Sequence, residues 1–432
     1  MIALNRDGAD HLRTLITGLC EHTDYPRLEL ILVDNGSTDD SIAFARAAQT
    51  PFPVSIVTNA HNESFSDANN EGARAAAGEL LLFANNDVTP FEGGWLRELV
   101  GAQRRWDAGT VAATLVYRDE RTATAEYGYL VQHRGMRFRD EDGLVRPVLR
   151  GYGDEPLDGQ LGDDDPGAAV AAACLLVEKE LFDRVGGFTH GYVYGAEDID
   201  FSLKVRAAGK EVVCSGRSVV VHQPGSTRRS AGRELLLDRQ LRNRRLLWER
   251  WGPRIRREHD LDLLEQAERW AETPKEPRPA SSSREEVLAP GLCLKAGDDV
   301  SALAHEAHEA LVGAGRRALV VRAEDEFEDL RWLNYDIAVH LRGELRFAPA
   351  PAQFNVLWCV SRFDELSEIE AGHYDLVLAG SAQLAARLGP TGVSAPVAQL
   401  DPRAWTLESL LEPIAEHFEA SGFPTRISPT DR

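Results

Sequence analysis

The sequence predicts an α/β fold of two successive domains, a larger Rossmann-like domain with a mostly parallel sheet and a smaller Rossmann-like α/β domain. The first observation is that short β-like runs alternate with helical patterns from residue 1 to about residue 260. The second is that a similar alternation returns between residues 287 and 420. Strands that alternate with helices are typical of parallel sheets whose faces the helices cover. At 432 residues, the chain can build two or three hydrophobic cores.

The first block shows this alternation in a regular order. Its β-like runs are LELILVD, PVSIVTNA and ELLLFANND, and the helical patterns SIAFARAA and SDANNEGARAAAG lie between them. Each β-like run is short and apolar and ends in polar residues, which is typical of a buried parallel strand. We therefore assign residues 1–260 to one domain with a doubly wound sheet.

A segment rich in proline and serine separates the two blocks. TPKEPRPASSSREE, residues 273–286, predicts an exposed linker, so we assign 261–286 to a helix end and this linker. The second domain, 287–420, contains four β-like runs: RRALVVRAED, YDIAVHLRG, FNVLWCVS and YDLVLAGS. It lacks the Gly-x-Gly-x-x-Gly pattern of dinucleotide-binding domains. Residues 421–432 are polar and predict a flexible tail.

Composition and charge argue against several classes of partner. A formal net charge of −21 is unsuited to a nucleic-acid surface or to an anionic membrane. Apolar runs such as LLLFA are far too short to span a bilayer, which leaves peripheral association with a membrane open. The N-terminus has no signal-peptide pattern, and the five cysteines are widely spaced, so we expect a cytoplasmic protein with reduced thiols.

Polar residues follow the predicted strands at the edge where open parallel sheets bind ligands. Asp34 could accept a hydrogen bond from a pyrimidine ring N–H or a ribose hydroxyl, although Asp34 and Asn35 could equally form only a turn. Asn59 ends the next strand, and Asn5 follows the first β-like run of the chain. These residues predict a polar pocket at one sheet edge.

Two further strand ends carry residue types that bind divalent cations. Asn85, Asn86 and Asp87 follow the apolar run of ELLLFANND, and a carboxylate there could hold Mg²⁺ or Mn²⁺ together with diphosphate oxygens. His222 ends the valine-rich run VVVH, and an imidazole suits Mn²⁺. A single histidine can also have a purely structural role, and the pattern leaves both readings open.

The stretch GAEDIDFSLKVRAAG places three carboxylates, Glu197, Asp198 and Asp200, before an apolar helical pattern. Asp198 could be the N-cap of that helix, since an aspartate accepts hydrogen bonds from free amides of the first turn. Capping requires one acid, so the additional carboxylates indicate a second role, such as acid–base chemistry.

Four stretches carry a resemblance to a known family: VDNGSTD, SFSDANNEGARAAAGELLLFANND, GGFTHGYVYGAEDIDFSLKVRAAG and VVVHQPGST. In this order, across about residues 2–255, they resemble the family 2 inverting glycosyltransferases of the A-type fold. NRRLLWERWG, residues 243–252, is similar to a segment that follows the catalytic domain in rhamnosyltransferase- and galactofuranosyltransferase-like members. Compared with that family, this chain has Asn85 in place of the first acid of the Asp-x-Asp motif.

The resemblance implies roles for the residues noted above. Asp198 falls at the position of the catalytic base, with Glu197 beside it. The residues that would bind the nucleotide-sugar donor are Asn5, Asp34, Asn59, Asn70, Asn85 and Asn86. The residues that would hold a divalent metal, Mn²⁺ or Mg²⁺, are Asp87, His222 and Asn85.

The implied function is transfer of a sugar from a UDP- or dTDP-sugar, such as dTDP-rhamnose, to a hydroxyl of a glycan or lipid-linked glycan, with inversion at the anomeric carbon. The glycan would belong to a cell-surface or cell-wall polysaccharide. Two alternatives remain open: a weakly active protein that binds nucleotide sugars or glycans, and a scaffold for partner glycosyltransferases. Neither the oligomeric state nor the acceptor can be read from the sequence.

The second block has a looser resemblance of its own. FNVLWCVSRFDEL, HYDLVLAGSAQLAARL and PVAQLDPRAW, within residues 287–418, resemble the N-terminal half of B-type glycosyltransferases of the family 4 and spore-coat kind. In such enzymes the other half supplies the donor site. We therefore expect this domain to have a structural or assembly role, or to bind the acceptor glycan, without catalysing transfer itself.

Overall fold

The computed structural model describes most of the chain. The described residues are 1–118, 128–141, 143–154, 162–193, 195–223, 233–271, 289–325, 330–389 and 393–423, with the backbone alone at 233–238, 264–271 and 324. The predicted linker at 273–286 and most of the predicted tail at 421–432 lie outside these residues.

The chain divides into two compact units. The first comprises residues 1–138 and 147–247, and the second comprises residues 139–146 and the described residues from 248 onward. This division falls inside the helix Arg233–Ala271, earlier than the predicted boundary at 260. The reason is that from Trp248 on the helix makes hydrogen bonds within the second unit. Trp248 Nε1 donates to Val145 O at 3.0 Å. Farther along the helix, Asn334 Nδ2 donates to Gly252 O at 3.0 Å.

The α/β class is confirmed by the strands and helices of residues 1–271, some of which extend into the second unit. The strands, in chain order, are β1 (Ile2–Asn5), β2 (Leu30–Asp34), β3 (Val54–Thr58), β4 (Leu80–Asn85), β5 (Val88–Pro90), β6 (Ala108–Tyr117), β7 (Leu130–His133), β8 (Met136–Glu141), β9 (Leu144–Leu149), β10 (Asp165–Pro166), β11 (Cys174–Glu178) and β12 (Glu211–His222). The helices are α1 (Ala9–His22), α2 (Ser41–Ala47), α3 (Phe65–Ala75), α4 (Trp95–Trp106), α5 (Lys179–Arg184), α6 (Glu197–Ala207) and α7 (Arg233–Ala271). Strands β8 and β9 form a separate two-stranded sheet.

The main sheet has the order β10-β12-β6-β11-β4-β1-β2-β3, and it is mixed. Strands β3, β2, β1 and β4 are parallel, as the sequence predicts, whereas β11 is antiparallel to both β4 and β6. Because two reversals restore the original direction, β6 and its parallel neighbour β12 point the same way as β4. The carboxyl ends of β1, β2, β3, β4 and β12 therefore lie at the same edge of the sheet.

The alternation of side chains along β2 shows how the sheet builds two cores. Leu30 and Leu32 pack into one apolar cluster with helix α1, while Ile31 and Val33 pack into the cluster on the opposite face. Successive strand residues point to opposite faces, so a strand covered on both sides must be apolar throughout. This explains why all five residues of LILVD are buried.

Helix α3 approaches the sheet closely at Gly72. A Cβ atom at this position would lie 2.5 Å from Ile2 Cγ2 and 2.8 Å from Val33 Cγ2. Both neighbours are buried, branched side chains without room to move. Glycine therefore sets the distance between α3 and strands β1 and β2.

The second unit has a parallel sheet with the order β14-β13-β15-β16-β17-β18. Its strands are β13 (Leu292–Ala296), β14 (Ala318–Arg322), β15 (Ile337–Arg342), β16 (Phe354–Cys359), β17 (Leu376–Ala379) and β18 (Val397–Gln399), and its further helices are α8 (Ser301–Gly313), α9 (Glu368–Ala371), α10 (Ala382–Leu388) and α11 (Leu407–Ala420).

Four of these strands are those that the sequence predicts, and β13 and β18 are additional. The sequence of β13 does not match an apolar strand pattern because it contains Lys295. This residue is fully buried, and its Nζ lies 3.2 Å from the centre of the Trp332 ring. Strand β18 has only three residues. The likeness of this unit to half of a B-type enzyme stays a prediction.

No helix in the described part of the chain has both the length and the apolar composition needed to span a bilayer.

We predict that Gly72→Ala destabilises the protein even though alanine favours helix formation by about 1 kcal/mol. Overpacking against Ile2 and Val33 should cost about 1–3 kcal/mol, which leaves a net loss of about 1 kcal/mol in the free energy of unfolding. The control is Gly101→Ala in α4, where the added Cβ would meet only the flexible end of Arg105, and stability should rise. Equal shifts of both variants in urea unfolding would contradict the close approach of α3.

Candidate active site

The edge formed by the ends of β1 and β2 carries a network of polar side chains around Asn5. Asn5 is fully buried, and its Nδ2 donates to Ser41 Oγ at 3.0 Å and to Ser37 Oγ at 3.2 Å. Asn86 Nδ2 donates to Asn5 Oδ1 at 2.8 Å. The network thus joins the ends of β1 and β4, so the structure brings Asn5 and Asn86 together.

Asp34 and Asn59 lie on the same edge, one strand farther along. Asp34 is 5% exposed, and its Oδ1 accepts a hydrogen bond from Ser37 N at 2.9 Å. This bond confirms that Asp34 helps to form the turn after β2. Asn59 Nδ2 donates to Asn35 Oδ1 at 3.0 Å, and Asn35 is itself buried. Asn35, a turn residue by its sequence context, therefore also positions Asn59.

Asn85, Asp87 and His222 converge at the ends of β4 and β12. His222 Nε2 lies 3.3 Å from Asp87 Oδ1 and 3.5 Å from Asn85 Nδ2. Asp87 Oδ1 is buried and has no hydrogen-bond partner. His222 Nδ1 lies 2.7 Å from Gln132 Oε1, so Nδ1 carries the proton and Nε2 presents its lone pair toward Asp87.

This arrangement fits a divalent cation. A carboxylate oxygen without a hydrogen bond and an imidazole lone pair lie close together, and a positive charge between them would relieve their repulsion. The set contains only two charged or imidazole ligands, and the described residues contain no group of three or more histidine, cysteine or carboxylate side chains that could hold a metal ion. Such a site would depend on oxygens of the ligand to complete the coordination of the metal, as Mg²⁺ sites commonly do.

The carboxylate segment begins in strained backbone. Gly195 and Ala196 have φ angles of 91° and 72°, and Ala196 is the residue that precedes α6. A positive φ is unusual for alanine and costs about 1–3 kcal/mol, so the surrounding structure must enforce it. Because α6 begins at Glu197 and Asp198 is its second residue, the possibility that Asp198 is the N-cap is wrong.

Asp200 has a different environment from the two acids before it. Its carboxylate is fully buried and accepts hydrogen bonds from Thr189 Oγ1 at 2.5 Å and from Tyr192 Oη at 3.1 Å. Lys204 Nζ lies 3.8 Å away on the same helix. With these partners Asp200 fastens the loop before α6 and is not available to a substrate.

Glu197 and Asp198 are the acids without such a set of partners. Burial, and then the negative charge of Asp198, raise the pKa of Glu197 to about 8. Glu197 Oε2 has no hydrogen-bond partner. Burial also raises the pKa of Asp198, while backbone amides of Ile199 and Ala172 act in the opposite direction. At neutral pH Glu197 therefore holds a proton.

The segment before β11 connects these acids to the strand end that carries Asn85 and Asp87, two of the residues that could hold a cation. Ala173 O accepts a hydrogen bond from Asn85 N at 3.0 Å, and Ala171 N donates to His133 Nε2 at 2.9 Å. Between them, Ala172 contributes the amide that faces Asp198. Three consecutive residues thus contact the end of β4, strand β7 and the start of α6, which places Asp198 beside the strand-end edge.

Asn70 does not join this set. Its Nδ2 donates to Phe188 O at 2.8 Å, and its Oδ1 accepts from Phe188 N at 3.0 Å. Both polar groups of the buried amide are therefore occupied by one backbone residue. Asn70 thus ties α3 to the loop before α6, and its expected donor-binding role stays a prediction.

Sequence reasoning missed three residues that support the site. Gln132 orients His222, and His133 is buried, with burial lowering its pKa to about 3, so it stays neutral while it accepts from Ala171 N. Both lie in the short run LVQH, whose polar residues at the end of an apolar strand were an available signal. Asn243 bonds to the loop before α6, and no local pattern indicates this.

Polar strand-end side chains, the pair of Asp87 and His222, and two partly buried acids make this sheet edge suited to binding a ligand, and known proteins were compared with the chain. Residues 1–149 match the family model described as Glycosyl transferase family 2. This part of the chain is therefore similar to glycosyl transferase family 2.

Relatives with curated names agree with this family. The chain is 31% identical over 229 residues to "O-antigen biosynthesis protein RfbC" of Myxococcus xanthus, a match that covers 52% of this chain and 17% of that protein. It is 26% identical over 262 residues to "N-acetylglucosaminyl-diphospho-decaprenol L-rhamnosyltransferase" of Mycobacterium tuberculosis, covering 54% of this chain and 79% of that protein.

A solved structure, a mannosyltransferase from Pyrobaculum calidifontis in complex with GDP-Man and Mn²⁺, has a TM-score of 0.39 and 17% identity, covering 64% of each chain. The chain spans only 17% and 24% of the lengths of the first two curated relatives that it matches.

We predict that Glu197→Gln makes stability less dependent on pH. An acid with a higher pKa in the folded state than in the unfolded state favours folding at low pH and opposes it as the pH rises. For Glu197 the window runs from its ordinary value of 4.5 to about 8. Relative to the wild type, the free energy of unfolding of Glu197→Gln should be higher by a few kcal/mol at pH 8 and almost the same at pH 4.

The control for this prediction is Glu180→Gln, because the side chain of Glu180 is 90% exposed. Chemical unfolding between pH 4 and pH 8 measures both variants. A constant difference between wild type and Glu197→Gln across this range would contradict the raised pKa.

Proposed function

We propose that the chain is an inverting glycosyltransferase that moves a sugar from a nucleotide-sugar donor to a hydroxyl of a glycan. The observation that carries this proposal is the position of residues 171–173, which place Asp198 beside the strand-end edge that holds Asn85. A direct displacement requires the base and the diphosphate-binding residues to be near one another, and this connection supports that arrangement. The family match over residues 1–149 supports the class of reaction.

In this proposal the polar edge binds the nucleotide. Asp34 accepts a hydrogen bond from the base or the ribose, and the networks of Asn5 and Asn59 hold the ends of β1 and β3 in place. A carboxylate at the base suits uracil or thymine, so we infer a UDP- or dTDP-sugar. The rhamnosyltransferase name of one relative favours dTDP-rhamnose as the donor and a lipid-linked glycan as the acceptor.

Asp198 is the proposed general base. Its raised pKa brings a carboxylate closer to the value at which proton transfer from an alcohol is most efficient near neutral pH. The proton of the acceptor hydroxyl passes to Asp198 as the oxygen attacks the anomeric carbon, and the nucleoside diphosphate leaves from the opposite face. Glu197, protonated at neutral pH, can donate a hydrogen bond to the acceptor or to Asp198.

A divalent cation, Mn²⁺ or Mg²⁺, would be held by Asp87, His222 and Asn85, with diphosphate oxygens as further ligands. When bound, it would stabilise the negative charge that grows on the leaving diphosphate. Gln132 fixes the tautomer of His222 that leaves Nε2 free for the metal.

The second unit has no assigned reaction in this proposal. We propose that residues 287–420 assist assembly or bind the acceptor glycan. The parallel sheet supports a Rossmann-like fold, but fold alone does not assign a ligand.

We predict that Asp198→Asn reduces kcat by about two to four orders of magnitude and leaves donor binding almost unchanged, because only proton transfer is lost. Single-turnover assays with UDP- and dTDP-sugars would measure this change. Glu197→Gln should reduce kcat less, and Asp183→Asn, an exposed acid of α5, should behave like wild type. Near-normal turnover by Asp198→Asn would remove this residue from the mechanism.

We predict that chelation abolishes transfer and that Mn²⁺ restores it. His222→Ala and Gln132→Ala should both need about tenfold or more additional metal for half-maximal activity, since one removes a ligand and the other its support. His305→Ala, an exposed histidine of α8, is the control. Full activity in the presence of EDTA would rule out the proposed metal role.

A further inference from the structure

Buried polar side chains hold the loop that leads into α6 at several positions. Lys204 Nζ donates to Gly187 O at 2.9 Å, Asn70 holds both backbone groups of Phe188, and Asp200 accepts from Thr189 and Tyr192. The last part of the loop, next to the acids, depends on a residue from a distant part of the chain.

That residue is Asn243 of α7. Its side chain is 2% exposed, its Oδ1 accepts from Val193 N at 3.2 Å, and its Nδ2 donates to Gly195 O at 2.8 Å. Asparagine suits this position because one short side chain supplies both an acceptor and a donor. Asn243 thus fixes the orientation of the Gly195–Ala196 peptide, immediately before Glu197.

We propose that Asn243 is a positioning residue for the reaction: it holds Gly195 and Ala196 in their left-handed conformation and thereby aims Glu197 and Asp198 at the acceptor. This inference rests on the proposed glycosyltransferase function and assigns a role to the segment NRRLLWERWG that the resemblance left without one.

Two observations connect the amide of Asn243 to the acids. Gly195 bonds to Asn243 through its carbonyl, and its own N–H faces the carboxyl group of Glu197. Ala196 O accepts from Asp200 N at 2.9 Å, so the strained residue also belongs to the first turn of α6. A shift of the Gly195–Ala196 peptide therefore moves both the acids and an amide that contacts one of them.

The strain explains why a positioning residue is needed at all. Ala196 has a φ angle of 72°, a conformation that alanine leaves unless neighbouring contacts enforce it. Asp200 holds the helix side of this residue, and Asn243 holds the loop side. Without Asn243, the Gly195–Ala196 peptide can rotate and the acids lose their orientation.

The test compares Asn243→Ala and Asn243→Asp with wild type. Asn243→Ala should fold, since Val193 and Gly195 are exposed and water can replace both hydrogen bonds. Asn243→Asp keeps the acceptor for Val193 N and loses the donor to Gly195 O. We expect kcat to fall about 10- to 100-fold in both variants, with KM for the donor nearly unchanged, because misplacement of a reacting group by about 1 Å has this effect.

The matched control is Asn355→Ala. Asn355 is likewise buried and bonded to backbone carbonyls, of Ala350 and Gln353, within the second unit. It should lower thermal stability while kcat per folded molecule stays at the wild-type value. If Asn243→Ala behaves like Asn355→Ala, or if kcat and donor KM change in parallel, Asn243 is merely structural and the inference is overturned.

A readout without turnover separates this inference from the proposed function. The effect of Glu197→Gln on unfolding between pH 5 and pH 8 is measured in the wild-type and in the Asn243→Ala backgrounds. Asp198, Asp200 and the Gly195 amide influence the pKa of Glu197. Displacement of the loop should therefore change the effect of Glu197→Gln on the free energy of unfolding. Equal effects in both backgrounds would overturn the positioning role, whereas a wild type that transfers no sugar would overturn only the proposed function.

Discussion

The site of the first unit depends on one feature of the sheet, the antiparallel strand β11 between β4 and β6. In an all-parallel sheet, the chain would enter this position from the opposite edge. Because β11 is reversed, the residues that precede it cross the edge where β4 and β12 end, and their backbone groups contact Asn85 and His133. The direction of one strand therefore brings the start of α6 close to the end of β4, where Asn85 lies.

The loop between β11 and α6 shows how a strained conformation can be maintained. Ala196 costs about 1–3 kcal/mol in its left-handed conformation. Asn70, Asp200 and Asn243 each use buried polar atoms to bind backbone or side-chain groups of this loop, and a buried polar group that loses its partner is costly. The same bonds that satisfy the buried side chains thus hold the loop in one conformation.

The sequence could predict the strand ends but not the contacts between distant segments. Asp34, Asn85 and His222 were recognisable because an apolar strand ends just before each of them, and parallel strands finish at the same edge. Asn70 lies in a motif typical of donor binding, yet its partner is Phe188, 118 residues away. Asn243 and Gln132 have no local signal for their partners either. Such pairings follow from tertiary structure, on which local patterns carry no information.

The three neighbouring carboxylates illustrate how burial and partners divide roles among similar residues. Asp200 has two hydroxyl donors and a nearby ammonium group, and it acts as an anchor of the loop before α6. Glu197 and Asp198 are partly buried and have fewer donors, and burial, together with the negative charge of Asp198, raises the pKa of Glu197 to about 8. At neutral pH Glu197 therefore holds a proton, and it lies in the same segment as Asp198, beside the sheet edge that carries Asn85. The anchoring bonds of Asp200 thus leave Glu197 and Asp198 as the two acids of this segment that a proposed acid–base role can use.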